Sequence, residues 1–344
     1  MKRLLLIIGT AAFLAQVCIQ LYSRYFNPDV AFFLKVAKAS DQWAEQIGFR
    51  DKPVYILAGG SEARSGIDPE IMLNEFGIPM INAAEGAGYG VMANTTMACR
   101  YLKQGDTLIL SLLSTNPGNY PPTADGLKLA AFCMGSKTFS TPFIQFSPQN
   151  LKKILIGNAT SMFVAATRAL IPGKPLYKYN ARTVIHPSGW MEIQYRDMVR
   201  YIPHKFDRPN QLNDFQKEQS ITQFLSTLSE YTRMKGVNLV ISLPWACRDE
   251  MAREQSALTA LRLTEMGMKV LKDPHLGCQP DSALYADMAV HLNATGSRMA
   301  TGSMAKALQT ESYWTEQELE EILKEYHRDK TGNYSHSPNS LPQP

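Results

Sequence analysis

Val54-Tyr55-Ile56-Leu57-Ala58-Gly59-Gly60-Ser61 is the stretch that decides the fold. A short apolar run ending on two glycines reads as a strand buried on both faces, the kind that parallel sheets use. A helix is predicted next, from Ile67 to Phe76, with Asp68 as N-cap, Pro69 at its first position and Gly77 as its stop. The alternation then repeats. Pro79 to Asn82 reads as a brief strand, Gly90 to Leu102 as a helix and Thr107 to Leu113 as a strong buried strand. Farther along, the pattern predicts a helix over 215–234, a strand at Val237–Leu243, a helix near 250–266, a strand at Lys269–Lys272 and a helix over Thr295–Leu308. Strands separated by helices predict an α/β fold of three layers, α/β/α, around a mostly parallel doubly wound sheet.

Other segments flank or interrupt this rhythm. Over residues 23–50, Phe32, Phe33, Val36, Trp43 and Ile47 recur at helical spacing, which predicts a connecting helix ahead of an α/β domain at 51–312. Residues 117–212 are an insertion with a predicted helix at 149–170 and the aromatic segment His186-Pro187-Ser188-Gly189-Trp190. Insertions of this length become lids or binding surfaces. Thr315-x-x-Glu318 opens a charged helix at 313–327 as a capping box, and the polar tail at 328–344 is expected to be disordered.

The N-terminus speaks to location. Lys2 and Arg3 precede an apolar run from Leu4 to Leu21. Eighteen helical residues reach about 27 Å, close to a bilayer's hydrocarbon thickness, and the leading positive charge favours a cytoplasmic end. An uncleaved single-pass anchor over residues 1–22 is the expectation; a cleaved signal peptide is the alternative. Either exports the rest of the chain. Cys99, Cys133, Cys247 and Cys278 would then lie in a disulfide-permissive compartment, with Cys247 and Cys278 each following a predicted strand. Buried free thiols are the other reading. The net charge of +4 over 344 residues, with no basic cluster, gives no case for nucleic-acid binding. There is no Gly-x-x-x-x-Gly-Lys phosphate loop. His204, His275, His327 and His336 are too scattered to suggest a metal, and no cofactor is expected.

Ligands of open parallel sheets collect at the carboxyl ends of the strands. The first strand is followed by Gly59-Gly60-Ser61, the second by a loop containing Glu85, Gly86 and Gly88, and the third by Ser114-Thr115-Asn116. Ahead of the last helix lie Asp287, His291, Asn293 and Gly296. This order resembles the SGNH (GDSL-like) hydrolase superfamily of esterases, deacetylases and acyltransferases. Ser61 falls in the nucleophile block, with Gly60 where the motif has Asp. Gly86 resembles the second-block glycine, Asn116 the third-block asparagine, and Asp287 with His291 the last block, at a gap of four rather than three. The strings from Gly60 to Glu70 and from His291 to Gly296 look more specifically like the anchored SGNH-like proteins of bacterial exopolysaccharide and cell-envelope systems. That resemblance implies addition or removal of acyl groups, most often acetyl, on a polysaccharide. It places the main domain in the periplasm or outside the cell, with a membrane acyltransferase or exopolysaccharide synthase as partner.

The residue types suit that chemistry. A serine hydroxyl needs an adjacent base near neutral pH; His291 can accept its proton and Asp287 can orient the imidazole. The N–H groups of Ser61 and Gly86 and the Asn116 amide are candidate oxyanion donors. Each has a plainer reading. Ser61 can cap a turn, His291 can be structural, Asp287 can be a helix-terminus charge, and Asn116-Pro117 is a common turn pair. Glu85 and Arg64 read as solvated surface positions, and His186 with Trp190 as a packed turn or a sugar-facing one. A non-catalytic SGNH-like scaffold or glycan-binding subunit is the alternative to the enzyme.

Overall fold

The computed structural model describes residues 2–25, 28–86, 90–112, 156, 183–194, 215–247, 250–286 and 289–332. Helices α1 (Lys2–Tyr25) and α2 (Pro28–Gln46) lead into β1 (Tyr55–Ala58), α3 (Ser61–Gly66), α4 (Pro69–Phe76), β2 (Met80–Asn82), α5 (Val91–Cys99) and β3 (Thr107–Ser111). A hairpin of β4 (Thr183–Ile185) and β5 (Met191–Ile193) follows. Then come α6 (Phe215–Met234), β6 (Asn238–Ser242), α7 (Glu250–Glu265), β7 (Lys269–Val270), α8 (Ala294–Gln309) and α9 (Glu316–Gly332).

The central sheet has five strands in the order β2-β1-β3-β6-β7, all parallel. Its alternation sets two cores. Ile56, Ala58, Leu108, Leu110 and Ile241 face one way and pack under α2, α5, α6, α7 and α9. Leu57, Ile109 and Val240 face the other way and pack under α3, α4 and α8. With both faces covered, the central strands read as near-continuous apolar runs, which is why β1 and β3 stand out in the sequence. The chain leaves β1 toward β2 on one side, while β3 lies on the other. This places the switch point, and a crevice at the strands' carboxyl ends, beside Gly59-Gly60-Ser61.

Local signals placed α4 well: Asp68 accepts from the Glu70 N–H, Pro69 opens the helix and Gly77 closes it at φ 69°. Two elements were not anticipated. One is α3, six residues long and too short to propagate by itself; the other is the β4–β5 hairpin inside the insertion. The predicted helix at 149–170 lies outside the described residues, Ile156 apart. The tail expected to be disordered from 328 is still helical as far as Gly332, because α9 runs on past its capping box.

One expectation changes, and of the two readings of the cysteines the free-thiol one holds. Among the described residues no helix is long and apolar enough to cross a membrane, so a spanning segment is not supported there. Cys99, Cys247 and Cys278 are free thiols, and Cys133 lies outside the described residues. Cys247 and Cys278 do sit on adjacent segments, but the bridge pairs Ala246 with Cys278, one residue out of step. The thiols meet different partners, the Pro280 carbonyl and the Ser256 hydroxyl.

Candidate active site

Ser61 opens α3 directly after the β1 carboxyl end. Gly60 is the N-cap and supplies no side-chain cap, so the Ser61 hydroxyl is not spent on the turn. Gly59 lets the loop in: a Cβ there would lie 2.8 Å from both the Ser111 and the Ala63 Cβ atoms. The Gly60 N–H is held by the Glu62 carboxylate at 2.9 Å, and the Ser65 hydroxyl donates to the Ser61 carbonyl at 2.9 Å.

His291 comes from the far end of the chain. Its Nε2 lies 2.8 Å from the Ser61 Oγ, across 230 residues of sequence. The imidazole is buried and Ser61 half-buried. The segment carrying it is fixed at several points. The Ala286 N–H donates to the His291 carbonyl at 2.8 Å, Tyr285 bridges Leu292, and the Cys247 N–H donates to the Ala289 carbonyl at 2.6 Å. Asn293 then caps α8 through the Gly296 N–H, while its amide donates to the Ala283 carbonyl at 2.6 Å. Leu292 thus enters the core and Asn293 closes the loop onto α8, which leaves His291 between them and the strand ends, facing Ser61.

Gly86 follows the loop that leaves β2. That loop is stitched to β1 by Ala83 N–H to the Leu57 carbonyl at 2.9 Å and Glu85 N–H to the Gly59 carbonyl at 3.2 Å. The Gly86 carbonyl accepts from the Asn94 amide at 3.1 Å. The structure therefore brings Ser61 and His291 into contact and the Gly86 loop against the same strand end. Asp287 and Asn116 lie outside the described residues.

Arg64 and Glu85 are not solvated. Arg64 is fully buried and Glu85 is 6% exposed. They form an ion pair at 3.5 Å. Burial pushes the Glu85 carboxyl up to about 7, against the attraction of Arg64 and Arg100 and with the repulsion of Asp41. Burial likewise lowers Arg64, against the pull of Glu85. Both shifts have the sense expected when desolvation outweighs a long, single-contact pair. A carboxyl raised on folding contributes stability that is full below its unfolded value of 4.5 and is lost as pH rises through about 7. Urea unfolding midpoints of the wild type should therefore fall between pH 5 and pH 8 by more than those of Glu85→Gln. Equal slopes in the two proteins would remove Glu85 as the titrating group.

The Trp190 ring is a packed one: it is 6% exposed, its Nε1 donates to the Ser65 carbonyl at 2.9 Å, and the His186 ring lies tilted against it with centroids 4.5 Å apart. Beyond it lies a groove of about 380 Å³ lined by Asp68, Asn74, His186, Glu192, Ala294 and Arg298 among others. No protein-family model, curated protein or solved structure matches this chain.

Proposed function

We propose that this chain is an SGNH-like serine acyl-esterase or O-acyltransferase that acts on a polysaccharide outside the cytoplasm. The observation that carries the reading is the 2.8 Å approach of His291 Nε2 to Ser61 Oγ at the carboxyl end of a parallel sheet. With the imidazole neutral and its Nδ1 protonated, Nε2 accepts the hydroxyl proton while Oγ bonds to the acyl carbonyl carbon. The carbonyl oxygen becomes an oxyanion, for which the Ser61 and Gly86 N–H groups are the donors at hand, with Asn116 added by the family resemblance. Collapse breaks the ester C–O bond, and His291 returns the proton to the leaving alcohol. Water or a sugar hydroxyl then attacks acyl-Ser61, giving its own proton to His291, and Ser61 is regenerated. An acetyl group is the acyl unit the resemblance favours.

The polysaccharide substrate rests on the family resemblance; the groove of about 380 Å³ beside the hairpin is lined by neither Ser61 nor His291. Support for a membrane-side location is the sequence pattern Lys2-Arg3 before the apolar run, and the exposed Leu6, Ile7, Phe13, Leu14 and Leu21 of α1. A membrane acyltransferase or exopolysaccharide synthase is the partner this location suits.

Active-site labelling tests the reading. A fluorophosphonate probe reacts with serines that a neighbouring base activates. One adduct per chain is expected, mapped by peptide mass spectrometry to Ser61 and lost in His291→Ala. The Gly60 that stands where the motif has Asp favours a non-catalytic scaffold instead; an unlabelled wild type would select that alternative.

A further inference from the structure

Among the described residues Arg64 is the largest side chain that the fold buries completely. It sits on α3, one turn beyond Ser61, and its Nη1 lies 3.0 Å from the Ser40 hydroxyl of α2. The same nitrogen donates to the Asn82 carbonyl at the end of β2 at 2.6 Å and to the Gly189 carbonyl of the hairpin turn at 2.9 Å. Nη2 faces Glu85, which immediately precedes Gly86. Four separate elements thus converge on one guanidinium. The surrounding bonds repeat the pattern. The Asn82 amide donates to the Ala63 and Ile67 carbonyls at 3.0 and 2.9 Å, and Trp190 holds the Ser65 carbonyl. Gly189 cannot carry a side chain here: its φ is 80°, and a Cβ would lie 2.5 Å from the Ser40 Oγ and 3.1 Å from the Arg64 Nη1.

The arrangement is a poor device for stability. Desolvating a guanidinium and a carboxylate is costly, and apolar side chains of similar volume commonly serve a core as well or better. Moreover, Arg64 Nε and Glu85 Oε2 are buried without a hydrogen-bond partner, so the pair is not even saturated. Its return is directional. A six-residue helix has too few internal bonds to fix its own orientation, and a planar fork bonded on several sides fixes it from outside.

We propose that Arg64, with Glu85 as its counterion, is a positioning residue that sets the Ser61 helix against the Gly86 loop and the insertion hairpin, so that the Ser61 hydroxyl meets His291. The kinetic part of its test rests on the acyl-transfer reading; the spectroscopic part does not. The variant is Arg64→Met in the full-length chain, which keeps the length and removes the fork. Its kcat for p-nitrophenyl acetate is expected to fall about 10- to 100-fold with KM within about 2-fold, the signature of a misplaced nucleophile rather than lost binding. In protein labelled with ¹⁵N-histidine, the His291 ring resonance, assigned by its loss in His291→Gln, is expected to move. Arg50→Ala, which breaks the exposed Glu45–Arg50 pair, should leave it in place.

A folded Arg64→Met with wild-type kcat and an unmoved His291 resonance would overturn the proposal. A moved resonance in a protein whose wild type neither turns over p-nitrophenyl acetate nor takes the fluorophosphonate label at Ser61 would leave the positioning role standing and remove the acyl-transfer reading. If Arg64→Met does not fold, Ser40→Ala deletes one partner and Glu85→Gln removes the charge of the counterion. Both are then expected to shift the resonance in the same direction, with losses in kcat of about 3- to 10-fold, and no change in either would count against the clamp.

Discussion

Ser61→Ala and His291→Ala are each expected to lower p-nitrophenyl acetate hydrolysis by about 10³-fold or more, with the double variant no worse than either alone. The size follows from mutual dependence. The serine is a weak nucleophile without the imidazole, and the imidazole has nothing to activate without the serine, so removing one forfeits what both supply. Folding should survive Ser61→Ala, because the Ser61 Oγ has the His291 Nε2 as its partner and caps nothing. The imidazole of His291 is 3% exposed, so its deletion opens a small cavity beside Leu292 and costs on the order of 1–3 kcal/mol. Thermal melts must therefore accompany the rates. Residual hydrolysis of roughly 10³-fold over water, from oxyanion donors alone, would fit the same scheme. Wild-type rates in both folded single variants would remove the site.

What the sequence could and could not reveal divides along one physical line. The strands β1 and β3 were legible because burial on both faces turns them into uninterrupted apolar runs, and α4 because its cap, proline and closing glycine are all local. Ser61 was legible because ligands of a parallel sheet collect where its strands end, and His291 because of its place ahead of the last helix together with the family resemblance. Arg64 and Glu85 were misread for the opposite reason. Charge alone argues for solvent, and what reverses it at Arg64 is a set of acceptors up to 125 residues away that no local pattern records. The helix α3 was missed with it, since Glu62 and Arg64 give that stretch no amphipathic face. One signal was present: two charges within three residues of a Gly-Gly-Ser loop that is itself squeezed between β3 and α3. Of the two readings of Cys247 and Cys278 the free thiols hold: the sequence places both after strands, but not the register that sets them one residue out of step.

Gly296→Ala tests the loop that carries His291, and the sign of its effect is informative. In an open helix the change from glycine to alanine stabilises by about 1 kcal/mol. Gly302, in the same helix α8, is such a place: an added Cβ would meet only the Phe76 ring edge at 3.6 Å, an ordinary contact. At Gly296 the same atom would lie 2.3 Å from the Leu284 carbonyl oxygen and 3.0 Å from the Leu292 Cδ2. That carbonyl cannot retreat freely, because it accepts the Asn293 N–H at 2.9 Å. Relief must therefore either shift α8 or break the Asn293 bond, and Asn293 is also the residue that caps the helix through the Gly296 N–H. Overpacking of about 1–3 kcal/mol and a comparable cost for a disturbed buried backbone bond add to a loss of roughly 3 kcal/mol or more. For a chain of 344 residues, at an unfolding entropy of about 2.1 cal/mol/K per residue, that is a fall in Tm of roughly 4 °C or more, while Gly302→Ala should hold or raise it. Activity should fall further than stability in Gly296→Ala, since Leu292 and Asn293 are the two residues that fix His291 from its carboxyl side. A Gly296→Ala protein that melts with Gly302→Ala and hydrolyses ester at the wild-type rate would mean that the loop tolerates displacement. His291 would then owe its contact with Ser61 to the bonds at Ala286 and Ala289 alone.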